Sequence, residues 1–320
     1  MKKTAIAPTN IAFIKYWGRK NEELRLPENG SVSMCLSDMT TTTTVEFSET
    51  FNEDAVTING ESAASEASRV VEHLDRIRKL ANITHKASVV SENSFPTATG
   101  LSSSASGFAA LSVAASSAAG LNLSEKELSI LARQGSGSAC RSIPSGFVEW
   151  LDGDTSETSY AQSLYPPGYW DIMDIVAVVS DDRKDISTSE GQTRFKTSPF
   201  NEARVAGMKD KITESKKAIE MKDFTKLGEI TEAEALNMHA VMLTSQPPLI
   251  YWTPGTLSIM KLVQRWRREG LEVYFTINTG QDIHLLIESK NKETLLNKLT
   301  ELDIVKNTIV NTPASGARLI

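Results

Sequence analysis

Hydrophobic positions along the chain follow two periods. Between 66 and 81, Ala67, Val70, Val71, Leu74, Ile77 and Leu80 recur at three- and four-residue spacing and predict an amphipathic helix. Residues 40–47, rich in Thr and Val, predict a strand, and Asn59-Gly60 marks a hairpin turn. Residues 85–93 read as a strand with Ala87, Val89 and Val90 as apolar positions. Residues 107–119 are mostly small and apolar, as in a helix buried against a sheet. At 124–134 a short helix is expected, opened by Ser124 and Glu127 as a capping box. Strands are expected at 143–150 and 172–180, with the intervening 152–170 a loop and the lobe boundary. The polar stretch 184–200, with Gly191 and Pro199, predicts a mobile loop near a site. Helical patterns follow at 202–221, 223–244 and 254–269. Paired strands at 273–277 and 283–287, a helix at 291–301 and a last strand near 303–310 complete the chain. The pattern gives an α+β protein, either one large domain or two lobes, 1–165 and 166–320, without internal repeats.

Composition narrows the function. The 320 residues suffice for a sizeable core, and 40% hydrophobic with 23% charged residues is ordinary for a soluble globular protein. A net charge of −6 gives no general attraction to nucleic acid or anionic membrane, so an anionic ligand must be held by local cations. The two cysteines, Cys35 and Cys140, form neither a disulfide framework nor a zinc spacing, which fits a reducing compartment. The basic start Met1-Lys-Lys lacks the apolar stretch of a signal peptide, because Pro8, Asn10 and Lys15 interrupt it. No run is long enough to span a bilayer, and a cytoplasmic protein is expected.

Candidate chemistry concentrates in three stretches. Phe95-Pro-Thr-Ala-Thr-Gly-Leu-Ser-Ser-Ser-Ala-Ser106 leads from a strand into a helix. Unpaired N–H groups and the dipole at a helix start attract phosphate. Gly100 lets the backbone approach, and Ser102, Ser103 and Ser104 offer hydroxyls to phosphate or to Mg²⁺, with Ser103 the candidate for the ion. No Walker lysine follows, and a serine-capped helix explains the same residues. Lys15-Tyr-Trp-Gly-Arg-Lys20 sets cations beside aromatics, either as exposed charges at a strand end or as a substrate-anion contact. Gly135-Ser-Gly-Ser-Ala-Cys-Arg-Ser142 is a second anion-site candidate through Arg141, or a flexible turn. Two such sites together suit transfer between phosphorylated molecules.

Together with Met238-His-Ala240 and Pro247-Pro-Leu-Ile-Tyr-Trp252, these segments resemble the GHMP kinase superfamily, and within it the mevalonate diphosphate decarboxylase and phosphomevalonate decarboxylase branch. The resemblance implies an S5-like N-terminal lobe, a ferredoxin-like C-terminal lobe with the active site between them, and a homodimer. It implies ATP and Mg²⁺, a phosphorylated mevalonate as substrate, and decarboxylation after 3-hydroxyl phosphorylation. Residue by residue, it places Gly100, Ser102, Ser103 and Ser104 on the ATP phosphates and Lys15 at the reacting end. Arg141 orients the substrate, while Tyr16, Arg19, Ser136, Ser138 and Arg194 hold it. His239 sits in a helical pattern and reads as structural.

One departure stands out. Where the family carries an aspartate in an Asp-Ala-Gly-Pro-Asn turn, this chain reads Asn278-Thr-Gly-Gln-Asp282. Asn278 orients or hydrogen-bonds the hydroxyl but accepts no proton. Either Asp282 reaches the site, or a loose transition state dispenses with a base, or the reaction stops at 3-phosphorylation. A silent ligand-binding relative is the remaining alternative. Retention of Lys15 favours decarboxylation. The loop ending in Thr197-Ser-Pro-Phe200, with Arg204 beyond, leans to a 5-monophosphate substrate, whereas Arg194 offers a 5-diphosphate contact.

Overall fold

The computed structural model describes all residues except 63, 96–102, 181, 183 and 184, and omits the side chains of 64–66. Gly100 and Ser102 therefore lie outside the described residues.

The first lobe is built on the strand Ser31–Ser48, which pairs antiparallel with Lys2–Ile14, Lys86–Asn93 and Phe147–Trp150. Among the described residues this sheet has eight strands. Over its second half the central strand alternates, with Thr41, Thr43, Val45 and Phe47 buried and their neighbours partly open. That period of two marks a sheet covered on one face. The cover includes the helix Ser103–Ala118, whose alanines let it lie close to the sheet. Two of its buried hydroxyls are satisfied: Ser112 donates to Phe108 O (2.7 Å), and Ser106 Oγ lies 2.6 Å from Thr41 Oγ1. The helix Glu125–Gly135 starts with the expected Ser124/Glu127 capping box.

The second sheet runs Tyr274–Thr276, Ile283–Glu288, Ile172–Val178, Asn307–Asn311, antiparallel throughout. Every residue of Ile172–Val178 is buried, because the strand serves two cores. Met173, Ile175 and Ala177 face Ile259, Val263 and Trp266 of the helix Pro254–Arg268. Ile172, Val176 and Val178 face a core shared with Phe13, Ile14 and Met34 of the first lobe and with Leu227 of the helix Phe224–Thr244. One apolar core thus joins the lobes.

Three expectations differ from what is observed. The stretch 184–200, expected as a mobile loop, holds regular turns in its described part. It forms a helical turn Thr188–Gly191, capped by Ser187, then a 3-10 turn Gln192–Thr197. Phe195 pins it into a cluster with Trp17, Met238 and Tyr251. The loop 152–170 contains the strand Ala161–Tyr165, paired with Phe147–Trp150. The helix expected at 202–221 divides at Gly207 into Asn201–Ala206 and Met208–Met221. Finally, Arg318–Leu319 returns to pair with Ala5 and Ile6.

Candidate active site

The strand Lys2–Ile14 delivers Lys15, Tyr16 and Trp17 to the junction of the lobes. Trp17 is buried against Phe195 and Met238 and anchors the segment. Gly18 then takes φ +93°, a value side chains rarely adopt, and reverses the chain. Arg19 comes back over Tyr16, donating from Nε to the phenol oxygen at 2.9 Å. The Tyr16 ring lies 4.6 Å from Trp150, and burial pushes its hydroxyl pKa up.

Lys15 is 2% exposed, and its Nζ donates to Asn278 Oδ1 at 2.9 Å. Burial, then the Arg141 guanidinium, brings its pKa down to about 7, while Glu234 and Asp174 oppose the shift. Its main chain is held equally firmly. Asn29 Nδ2 and Arg204 Nη2 both donate to the Lys15 carbonyl at 2.9 Å. Arg204 in turn is paired with Glu234 at 2.5 Å, in a contact buried on both sides.

Arg141 sits in the 3-10 turn Gly137–Ser142. Its Nε donates to Asn10 Oδ1 (3.1 Å) and its Nη1 to Ser31 Oγ (2.9 Å). Asn10 Nδ2 donates to Ser138 O and Ser142 Oγ, so the turn is fixed to the strand end. The Gly/Ser turn is therefore rigid, and a Cβ at Gly137 would lie 2.7 Å from the Tyr16 ring. Ser136 Oγ lies 3.2 Å from Ser104 Oγ, which joins this turn to the first turn of Ser103–Ala118.

Beside Ser136 lies a group of arginines. Arg25 donates to Gln134 O (2.9 Å) and Arg69 to Gly135 O (3.1 Å), at the negative end of the helix Glu125–Gly135. Burial, and then Arg19 and Arg69, pull Arg25 down to about 10. Among the described residues Arg25 makes no ion pair, so this corner favours an anion.

The structure thus brings Lys15 to Asn278 and sets Tyr16, Arg19, Ser136, Ser138 and Arg141 around one turn. Other expected residues are engaged elsewhere. Asp282, 3% exposed, accepts the Val179 N–H at 2.9 Å. Arg194 pairs with Glu190 at 2.7 Å and donates to Pro247 O. Arg204, beyond the loop that ends in Phe200, is committed to Glu234 and the Lys15 carbonyl. His239 is buried, with Nε2 3.0 Å from Asn278 O, and burial lowers its pKa to about 3. The neutral ring donates to that carbonyl and holds the turn, a role between structure and site. Sequence reasoning missed Asn29, Glu234 and Arg25, whose partners are separated by 14, 30 and 109 residues. Such distances leave no periodic signal.

Comparisons with known proteins cover both lobes. A family model described as the diphosphomevalonate decarboxylase-like N-terminal domain matches residues 7–161, and the mevalonate 5-diphosphate decarboxylase C-terminal domain matches 174–315. The diphosphomevalonate decarboxylase of Candida albicans is 38% identical over 92% of this chain and 86% of its own. That of Danio rerio is 37% identical over 87% of this chain and 74% of its own. Among solved structures, the mevalonate diphosphate decarboxylase of Enterococcus faecalis superposes with a TM-score of 0.94 at 40% identity, covering 100% and 99% of the two chains. That of Staphylococcus aureus gives 0.95 at 38%, covering 100% and 98%. A further structure, described as MDDEF with MVAPP, AMPPCP and magnesium, gives 0.95 at 41%, covering 100% and 99%.

Proposed function

We infer that this chain, which belongs to the diphosphomevalonate decarboxylase family, is an ATP-dependent decarboxylase of a 5-phosphorylated mevalonate. It phosphorylates the tertiary 3-hydroxyl, then expels that phosphate with CO₂ and leaves an isopentenyl ester. The observation that carries this reading is the buried Lys15–Asn278 contact beside Arg141, where a substrate bearing a carboxylate and a tertiary alcohol meets an amine and a guanidinium.

The parts have separable roles. The first turn of Ser103–Ala118 has no acidic residue, so its N–H groups and serine hydroxyls suit the phosphates of ATP. Oxygen donors such as Ser103 also suit Mg²⁺, which keeps phosphate and water ligands and neutralises the transferring group. Arg141 orients the substrate carboxylate, and Tyr16, Arg19, Ser136 and Ser138 hold the phosphorylated tail. We assign that tail as the 5-diphosphate. Support comes from the arginines gathered at Arg19 and Arg25 and from the commitment of Arg204 to Glu234. Arg194 reaches the tail only by giving up Glu190. Asn278 and Asp282 belong to the catalytic turn, Asn278 as a contact and Asp282 as its support.

The lobe boundary is placed between 165 and 166, between strands Ala161–Tyr165 and Ile172–Val178 of different sheets. A cytoplasmic location is proposed with two buried free thiols as support. The homodimer rests on the family resemblance. No helix among the described residues is long and apolar enough to cross a membrane.

The test supplies purified protein with ATP, Mg²⁺ and, separately, mevalonate, its 5-phosphate and its 5-diphosphate, and follows ADP and CO₂ together. Equal ADP and CO₂ with the 5-diphosphate is the expected result. ADP without CO₂ would establish the second reading, a 3-kinase, which the carboxamide at Asn278 specifically allows.

A further inference from the structure

Lys15 is a buried amine without a carboxylate. Among the described residues it makes no ion pair, and the acceptor for its Nζ is the amide oxygen of Asn278, which takes no proton. The charged groups packed around it come from separate elements. Arg141 approaches from the 3-10 turn and disfavours a second cation. Glu234, on Phe224–Thr244, is committed to Arg204 and Lys211 at 2.5 and 2.7 Å. Asp174, on Ile172–Val178, is committed to His284 at 2.9 Å. Asp282 holds the Val179 N–H, and His239 is neutral and bound to the Asn278 carbonyl. Glu234 and Asp174 are therefore paired, Asp282 Oδ1 holds the Val179 backbone, and among the described residues the amine at the reacting end has no ion-pair partner.

We propose that Lys15 Nζ is the general base for 3-phosphorylation. This rests on the decarboxylase reading above and assigns the proton of its first step. The hydroxyl O–H bond breaks, and its electron pair forms the new O–P bond. The bond between the γ-phosphorus and the bridging oxygen breaks, with its pair leaving on ADP. The proton goes to Nζ, which becomes an ammonium. That cation forms where the 3-phosphate must next depart with the C–O electron pair, as the carboxylate C–C pair becomes the double bond of the product and CO₂ leaves. One residue serves both steps, as acceptor in the first and as counter-charge in the second. Burial favours the uncharged amine, and its placement near pH 7 suits a base working at neutral pH.

The test has four arms. Single-turnover ADP formation from the 5-diphosphate is measured between pH 6 and 9. It should rise about tenfold per pH unit below a midpoint near 7 and then level off. Lys15→Arg, permanently charged, should lose at least about 10²-fold, the lower range for general-base help. Asn278→Asp supplies a carboxylate against Nζ, and the rise should vanish from this range as the new acid takes over as base. Independently of turnover, ¹³C NMR of lysine-labelled protein without ATP should show one signal, absent from Lys15→Met, that titrates near pH 7. A flat wild-type profile, Lys15→Arg activity within tenfold of wild type, or a signal still charged at pH 9 would overturn the proposal. Absence of ADP with every substrate, despite a titrating Lys15, would instead overturn the decarboxylase reading and leave the base without a substrate.

Discussion

Replacing Glu234 by Gln tests how the two lobes hold Lys15. Glu234 is fully buried and accepts Arg204 at 2.5 Å on Oε1 and Lys211 at 2.7 Å on Oε2. Glutamine keeps the shape but has one acceptor and one donor at these positions. Its NH₂ must oppose either a buried guanidinium or a lysine. Breaking such a pair leaves an uncompensated buried charge and costs about 3–5 kcal/mol. At about 2 °C per kcal/mol for a chain of this size, the Tm should fall by about 6–10 °C. Arg204 also donates to the Lys15 carbonyl at 2.9 Å and to Asn29 Oδ1 at 3.4 Å. Its release should therefore disturb Lys15 and lower kcat more than it raises KM. A shift approaching 1 Å at a reacting group can cost about 10²-fold, so a loss of about tenfold is a fair expectation for a partial shift. The assays are thermal unfolding with a urea titration, and steady-state ADP release. Combining Glu234→Gln with Arg204→Met should recover part of the stability, since removing both charges avoids the orphan, but not the activity. A Glu234→Gln protein within 1 kcal/mol of wild type and with unchanged kcat would refute the reasoning.

Further outcomes follow from other contacts. Gly137→Ala puts a methyl 2.7–2.9 Å from two ring carbons and the hydroxyl oxygen of Tyr16, whose ring Trp150 also flanks. Overpacking of about 1–3 kcal/mol is expected, with a raised KM read from substrate titration. Arg141→Lys cannot reproduce the fork that reaches Asn10 and Ser31 together, so kcat/KM should fall by about 10²-fold while the Tm changes little. His73 and His239, both brought down by burial to about 3, lie below the 6.5 of an unfolded histidine. The unfolded chain binds the extra protons, so their contribution to stability is complete above pH 6.5 and is lost as pH falls toward 3. Urea midpoints across that window should show the slope, and His73→Gln should reduce it. Lys15→Met should raise the Tm at pH 7, because Lys15 is lowered from 10.5 to about 7 and the unfolded chain gains by protonating it. That gain should shrink as pH approaches 10.5, and an equal gain at both pH values would count against a desolvated amine.

Local chemistry sufficed wherever neighbours in sequence settle the outcome. The Ser124/Glu127 box, the Asn59-Gly60 hairpin and the 66–81 helix depend on contacts within a few residues, and all are present. The order of the three candidate anion-site segments was legible too, and it led to the family and to Lys15, Arg141 and Asn278. The polar composition of 184–200, which predicts a mobile loop, hides Phe195, whose partners Trp17, Met238 and Tyr251 lie far away along the chain. The supports of the site were hidden for the same reason. Glu234 meets Arg204 from another helix, Asn29 reaches back to Lys15, and Arg25 caps a helix that ends more than a hundred residues later. The chain alone determined which charged groups exist and the short-range turns that present them. Only the tertiary structure decided which acids are consumed by which cations, because burial and Coulomb energy depend on distances that no spacing along the chain encodes. That assignment is what leaves Lys15 opposite an amide.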